Sequence, residues 1–435
     1  MSSATICAIR SLTLVRHSPE LKRVLIIAYH FPPQAESSGY LRTLKFCRYL
    51  PDLGWQPRIL TVHPRAYERT NPSQLNEIPA TIQVDRVFAL DTQRHLSFRG
   101  RYFKAMALPD RWVSWCLGGI PAGYQVIREE KPDVIMTTFP IATAVLIGWL
   151  VHCLTGKPWL ADFRDSMTEP DYPRDPQTWQ TYRWLEKKAV ACASHLVFTA
   201  SSAVRMYLDR YPSLSPERCS LIQNGYDEED FRDLLPGPVV SNHSLRLVHM
   251  GLLYPIERDP KPFFRAISQL QKDGKLDPAR VRIELRASGY ESAYAEMLQR
   301  EGIENIVRLL PALPYREALQ DAANADGLLL FQAANCNHQI PTKVFEYLRL
   351  AKPILALTSH EGDTAALLQQ TGGATIVDLA DWQAIYRTFP EFLKAAETRT
   401  HPQPDRNLVQ VYSRRGQAAK LARLLDGISA AAMAS

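Results

Sequence analysis

Several signals are missing from this 435-residue chain, and each absence closes off a class of protein. No apolar run approaches the ~20 residues that cross a bilayer as a helix. The longest, Ile141 to Leu154, is interrupted by Thr143 and His152 and predicts a buried helix. The first twenty residues carry Arg10 and Arg16 but no sustained apolar segment, which predicts no cleaved secretory signal. Seven cysteines, at positions 7, 47, 116, 153, 192, 219 and 336, include no C-x-x-C pair. Several lie in apolar stretches, where a free thiol packs as a small hydrophobe. The pattern suits a reducing, cytoplasmic setting and excludes a disulfide framework or zinc site. A dense basic stripe is also lacking: the net charge of +6 is mild for this length and makes no case for nucleic acid. No solenoid or propeller period is visible, and no D-x-D element follows a predicted strand.

What is present is an ordinary globular composition, 46% hydrophobic and 22% charged. The length fits two domains of roughly 200 residues each. Short apolar runs with β-branched residues recur: Val24–Tyr29, Arg58–Val62, Val134–Thr138, Trp159–Asp162, Leu196–Thr199 and Ser220–Gln223 in the first half. In the second half they are Leu245–Met250, Val281–Arg286, Gly327–Phe331, Ile354–Leu357 and Ala374–Val377. Runs apolar on both faces suit parallel strands covered by helices. Helical stretches such as Tyr40–Leu50, Trp179–Ala193 and Glu317–Ala323 lie between them. This alternation, occurring twice, predicts two doubly wound, Rossmann-like α/β domains facing each other across a cleft. The boundary falls between Asp227 and Ser244, where an acidic run gives way to the Pro/Gly-bearing stretch Leu234–Asn242. The expected division is a tail over 1–20, a first domain over 21–235 and a second over 244–395. Residues 396–435 are expected as a helix and tail returning toward the first domain.

In such a fold, ligands gather at the carboxyl ends of the strands. After the first strand comes a loop, Gln34–Ser38, then Gly39 and a helix carrying Arg42 and Lys45. That helix N-terminus can attract an anion or a sugar hydroxyl. The buried run Trp159–Ala161 stops at Asp162, Arg164 and Asp165, and carboxylates at a strand tip can orient a hydroxyl or take its proton. Asn224-Gly225 predicts a tight turn. Gly251, just past a strand, lets a ligand approach the backbone, and Arg258 in the loop beyond can meet a diphosphate by two-pronged hydrogen bonding. A polar loop then leads from Phe331 through His338 and Gln339 to a helix over Lys343–Leu350, with Thr342 or a neighbour as its cap. Lys343 stands at the positive end of the helix dipole, a placement that suggests an anion held by both. Glu346, one turn on, can accept from paired hydroxyls. Between 94 and 119, Arg94, Arg99, Arg101, Lys104 and Arg111 interleave with Phe98, Phe103, Trp112 and Trp115, a mixture suited to an anionic bilayer.

The segment Ile340–Leu357, IPTKVFEYLRLAKPILAL, resembles the donor-site signature of retaining glycosyltransferases of the GT-B fold, family four. FPP…SSGYLRTLKFCRYLPDLGW at 31–55, PWLADFRDS at 158–166, NGYDEEDF and HMGLLYPIERDP resemble, in order, other stretches of bacterial members that build surface polysaccharides. The resemblance covers about residues 22–390. It implies transfer from a nucleotide diphosphate sugar to a glycan or lipid-linked acceptor with the anomeric configuration retained, without a required metal or other cofactor. Gly39 would close over acceptor and donor phosphates, with Arg42, Asp162, Arg164 and Asp165 on the acceptor side. Gly251, Arg258, His338, Gln339, Ile340, Pro341, Thr342 and Lys343 would line the donor site, Arg258 and Lys343 neutralising the diphosphate and Glu346 holding the ribose. Where the family's paired glutamates stand seven residues apart, this chain has His338 before Glu346. The same architecture serves nucleotide-sugar epimerases, and the His338 replacement also admits a catalytically weakened partner subunit.

Overall fold

The computed structural model describes residues 21–35, 38–235 and 244–434. The predicted tail over 1–20, Glu36 and Ser37 of the first loop, and the interdomain stretch 236–243 lie outside the described residues.

Two parallel sheets form the molecule. The first comprises β1 (Lys22–Ile27), β2 (Trp55–Val62), β3 (Gln83–Val87), β4 (Val134–Phe139), β5 (Trp159–Phe163), β6 (His195–Phe198) and β7 (Cys219–Leu221). Its spatial order is β3-β2-β1-β4-β5-β6-β7. The second comprises β8 (Leu245–Met250), β9 (Val281–Arg286), β10 (Val307–Leu310), β11 (Gly327–Gln332), β12 (Ile354–Thr358) and β13 (Ala374–Val377), ordered β10-β9-β8-β11-β12-β13. Strand order therefore reverses at β1/β4 and again at β8/β11, the two places where a doubly wound sheet opens a crevice.

The apolar runs are strands because both faces are covered. In β1, Leu25 and Ile27 enter one core while Val24 and Ile26 enter another on the opposite face. In β11, Leu329 and Phe331 face one core and Leu328 and Leu330 the other. All eleven predicted runs are strands; β3 and β10 were not anticipated. Both are edge strands, and β3, QVDRV, has no fully buried residue. An edge strand with one partner carries a weaker apolar signal than the centre of the sheet.

The chain returns to its start. The Arg414–Ala434 helix buries Ala418, Leu421, Ala422, Leu425 and Ile428 in the same core as Val24, Ile26, Leu44 and Cys47. Its approach explains Gly225. No tight turn forms at Asn224-Gly225; the segment runs extended, and Tyr226 pairs with Ser413 in a parallel bridge. A Cβ on Gly225 would stand 2.0 Å from the Tyr412 carbonyl oxygen, so the glycine serves a close chain approach.

Polar contacts tie the two domains. Asp363 of the second domain accepts from Ser201 Oγ (2.7 Å) and the Ser202 amide (2.9 Å), capping a helix whose own N-cap, Ala200, has no side-chain acceptor. The acidic run is also consumed. Asp227 pairs with Lys45 (2.6 Å) and accepts from Tyr49 Oη (2.6 Å), while Glu228 reaches across to Arg349 (2.8 Å).

Candidate functional site

The carboxyl ends of both sheets open onto one crevice of about 720 Å³. From the first domain Gly39, Arg42, Arg164, Asp165 and Asn224 line it, and from the second Gly251, Arg258, Lys343 and Glu346. Gln339, Ile340, Pro341 and Thr342 also reach it. Asp162 and His338 are not among its lining residues.

On the second-domain wall, the helix Thr342–Leu350 presents its first turn to the crevice. Pro341 occupies the N-cap position and no side chain caps the helix. Thr342, expected as a possible cap, is instead its first residue, and the helix start keeps its partial positive charge toward the crevice. Lys343 Nζ donates to the Met250 carbonyl (2.5 Å) and lies 3.4 Å from His249 Nε2. Burial, with the nearby Arg258 guanidinium, lowers the Lys343 pKa to about 7. His249, buried and beside that lysine, is held well below the usual histidine range. It therefore stays neutral, with Nδ1 2.9 Å from the Leu329 carbonyl oxygen and Nε2 3.1 Å from that of Gly251.

Gly251 sits at φ 105, in the region glycine favours, and a Cβ there would lie 3.0 Å from Lys343 Nζ. Arg258 makes no ion pair among the described residues: its Nη1 donates to the Leu252 carbonyl (3.0 Å) and its guanidinium stands 5.5 Å from the Tyr254 ring centre. Neighbouring Asp259 pairs with Lys261 instead, at 3.5 Å. Glu346 is buried and accepts from Tyr315 Oη (2.8 Å). Burial raises its pKa, opposed by that hydrogen bond and by Arg414 and Lys343.

The first-domain wall is arranged differently from the sequence expectation. Arg42 (3% exposed) and Asp162 (1% exposed) are both buried, and Arg42 Nε and Nη2 donate to the two Asp162 oxygens at 2.9 Å each. The remaining Arg42 donors reach the carbonyls of Ile222 (2.8 Å) and Gln223 (2.9 Å). Asp162 is therefore buried in this two-pronged pair and does not line the crevice. Arg164 Nη1 donates to the Gly39 carbonyl, fixing the start of the Tyr40–Tyr49 helix. Asp165 is the carboxylate at this strand tip that faces the crevice without a hydrogen bond among the described residues. Burial raises its pKa, Arg164 opposes the shift, and Glu169 adds to it.

His338 Nε2 meets Glu169 Oε1 at 2.7 Å, a hydrogen bond between the domains beside Asp165. Sequence reasoning missed Tyr315, Glu169 and Arg414. No local motif marks them, since each acts through a contact made by a distant chain segment.

Of the stretch 94–119, Trp112 and Trp115 are buried, and the Trp112 ring packs tilted against Tyr29 with centres 4.4 Å apart. Arg94 donates to the Tyr67 carbonyl (2.6 Å), and Arg111 pairs with Asp91. What remains outside is a tight hairpin turn. Phe98 and Arg101 exchange backbone hydrogen bonds across Arg99 and Gly100, and Phe98 (77%) and Phe103 (82%) are exposed. Among the described residues no helix is long and apolar enough to cross a membrane, and no group of three or more His, Cys, Asp or Glu is placed to hold a metal ion.

Two Rossmann-like domains of seven and six parallel strands, meeting at a crevice formed by their carboxyl ends, define the GT-B architecture. Residues 41–225 match the family model for a glycosyl transferase 4-like domain, which supports a glycosyltransferase of that type. A comparison with curated protein sequences finds no match. Among solved structures, the chain is similar to sucrose-phosphate synthase from Thermosynechococcus elongatus, with a TM-score of 0.67 and 13% identity over 94% of this chain and all of that one. HepE of Anabaena in complex with UDP matches at TM-score 0.59 and 13% identity, covering 95% of this chain and 98% of its own. A UDP-N-acetylglucosamine 2-epimerase matches at TM-score 0.52 and 11% identity, covering 92% and 94%.

Proposed function

We propose that the protein transfers a sugar from a nucleotide diphosphate sugar to a glycan or lipid-linked acceptor, retaining the anomeric configuration. The observation that carries this reading is the asymmetry of the crevice. One wall holds Lys343, Arg258, the open helix start at Thr342 and buried Glu346; the other holds Asp165 and the Arg164–Gly39 contact. Similarity to a structure solved with UDP adds support for a nucleotide donor.

In this mechanism the bond from the anomeric carbon to the diphosphate oxygen breaks as the acceptor oxygen bonds to the same face. The acceptor proton passes to the departing phosphate oxygen. Lys343, Arg258 and the helix start neutralise the growing charge, so leaving-group stabilisation supplies most of the catalysis. Asp165 orients the acceptor hydroxyl. Asp162 and Arg42 hold the strand tip in place through their buried pair. Glu346, with Tyr315 fixing one oxygen, holds the ribose through the other. His338, engaged with Glu169, sets the mouth of the donor site. No metal takes part in the proposed step, and turnover unaffected by a chelator is the expected result.

The test is product analysis. Incubation with a nucleotide-sugar panel and a polysaccharide or lipid-linked acceptor fraction should give a glycoside with the donor's anomeric configuration by proton NMR. Release of an epimerised sugar without acceptor would establish the epimerase chemistry instead. Donor binding without any product would establish a non-catalytic subunit.

The acceptor reading extends to a cytoplasmic membrane surface. The Phe98–Phe103 segment belongs to the long connection between the carboxyl end of β3 and the Cys116–Glu130 helix, with exposed Arg99 and Arg101 beside the two phenylalanines. An aromatic pair flanked by cations suits an anionic headgroup layer. Flotation with anionic liposomes at low salt should carry the wild type and lose the Phe98→Ala, Phe103→Ala variant. Equal flotation of both would remove this surface from the proposal.

A further inference from the structure

The Arg414 side chain is at odds with every other buried arginine of the crevice. It is only 4% exposed, yet none of its guanidinium nitrogens has a hydrogen-bond partner among the described residues, and Nη1 is sealed from solvent. Arg42, equally buried, has four bonds. Arg286, also on the crevice wall, pairs with Asp321 at 2.8 Å. Buried charge without hydrogen bonds is costly, so it persists where something other than the folded chain satisfies it.

The backbone beneath Arg414 is fixed. Its amide donates to the Tyr226 carbonyl (2.7 Å), and it opens the 21-residue helix that is built into the first-domain core. The side chain reaches the crevice wall near Glu346, Tyr315, Arg42 and Asp227. Like Lys343, it is a cation at the N-terminus of a helix, where the dipole disfavours it and favours an anion. Both helices begin at the same crevice. Setting aside Arg42 and Arg286, which are paired internally, the crevice is lined by Arg164, Arg258, Lys343 and Arg414 against Asp165 and Glu346. With Lys343 protonated, as a bound anion would hold it, the surplus of positive charge equals the double negative charge of a diphosphate diester.

We infer that Arg414 binds the diphosphate of the nucleotide donor, so that the ligand joins the second-domain cations to a residue anchored in the first domain. This rests on the donor reading proposed above. It adds that the C-terminal helix contributes to the site and that donor binding spans both domains.

Calorimetric titration of the full chain with UDP, GDP and ADP, with inorganic pyrophosphate and with the matching nucleosides tests it. Arg414→Met should weaken the bound nucleoside diphosphate and pyrophosphate at least tenfold while leaving nucleoside binding unchanged. The same substitution should raise the melting temperature of the empty protein, because it removes an unsatisfied buried charge, whereas loss of a structural residue would lower it. Arg414→Lys, which keeps the charge but loses the fork, should bind diphosphate with intermediate strength. Wild-type binding matched by Arg414→Met, or a lowered melting temperature of that variant, would overturn the inference alone. Undiminished diphosphate binding together with weakened binding of a phospholipid-linked acceptor would reassign Arg414 to the acceptor and overturn it too. A wild type that binds no nucleoside diphosphate would overturn it along with the donor reading.

Discussion

Lys343 offers a test in which the proton itself is the reporter. Burial and Arg258 bring its pKa to about 7 in the empty crevice. At pH 8 only about one-tenth of the molecules would then carry the charge. A bound diphosphate restores it, so binding should take up about 0.9 proton at pH 8 and about 0.5 at pH 7. Affinity for a nucleotide sugar should fall roughly tenfold per pH unit above 7. Titration calorimetry in buffers of low and high ionisation enthalpy reads the uptake directly, and Lys343→Met should abolish it. A nucleotide sugar is the right probe because its diphosphate diester does not itself titrate in this window. Stability follows the same titration. The native lysine binds protons less well than the unfolded one, so the cost of burying it is full below pH 7 and fades as pH rises toward the ordinary lysine value. Lys343→Met should accordingly stabilise the empty protein at neutral pH. The gain should be a few kcal/mol, from roughly 1.4 kcal/mol for each tenfold loss of proton affinity, less what residual solvation of the group returns. A buffer-independent binding enthalpy at pH 8, or a destabilised methionine variant, would refute this account of the lysine.

Three further outcomes follow from the geometry. Asp162→Asn leaves the buried Arg42 guanidinium without its counter-charge and should cost about 3–5 kcal/mol in urea unfolding; a change under about 1 kcal/mol would show that the pair does not hold the strand tip. Gly251→Ala forces an alanine to φ 105 and sets its Cβ 3.0 Å from Lys343 Nζ. It should cost about 1–3 kcal/mol of stability and weaken donor binding severalfold, and unchanged affinity by calorimetry would count against Lys343 as a donor ligand. Asp363→Ala uncaps the Ser201–Arg210 helix across the domain junction. A loss of about 1–2 kcal/mol with an increased radius of gyration in solution scattering is expected, and an unchanged radius would contradict its role in the junction.

The sheet centres were legible because a parallel strand covered on both faces needs a continuous apolar run, as VLII of β1 and LLLF of β11 display. β3 and β10 were not, since an edge strand with solvent on one side can tolerate QVDRV. The crevice wall built from one continuous stretch, Gln339 to Glu346, was also readable, because strand, loop and helix start succeed one another locally. What sequence could not supply was pairing at a distance. Arg42 and Asp162 stand 120 residues apart and each looked available for ligand; only folding reveals that they satisfy one another. Glu169 and His338 meet across the two domains, and Arg414 enters the site because a helix far along the chain is needed to complete the first core. Asn224-Gly225 carried a turn signature, yet the glycine was required by the passing Tyr412 carbonyl.

Central to the proposed chemistry is a single crevice that holds a nucleotide diphosphate sugar between Lys343 and Arg258. Calorimetric titration of a nucleotide-sugar panel against the wild type and an Arg258→Ala, Lys343→Ala double variant addresses that claim most directly. At least one member should bind the wild type and lose a hundredfold or more of its affinity in the double variant, with the variant's fold intact by circular dichroism. Binding of equal strength to both proteins, or no binding to the wild type by any member, would contradict it.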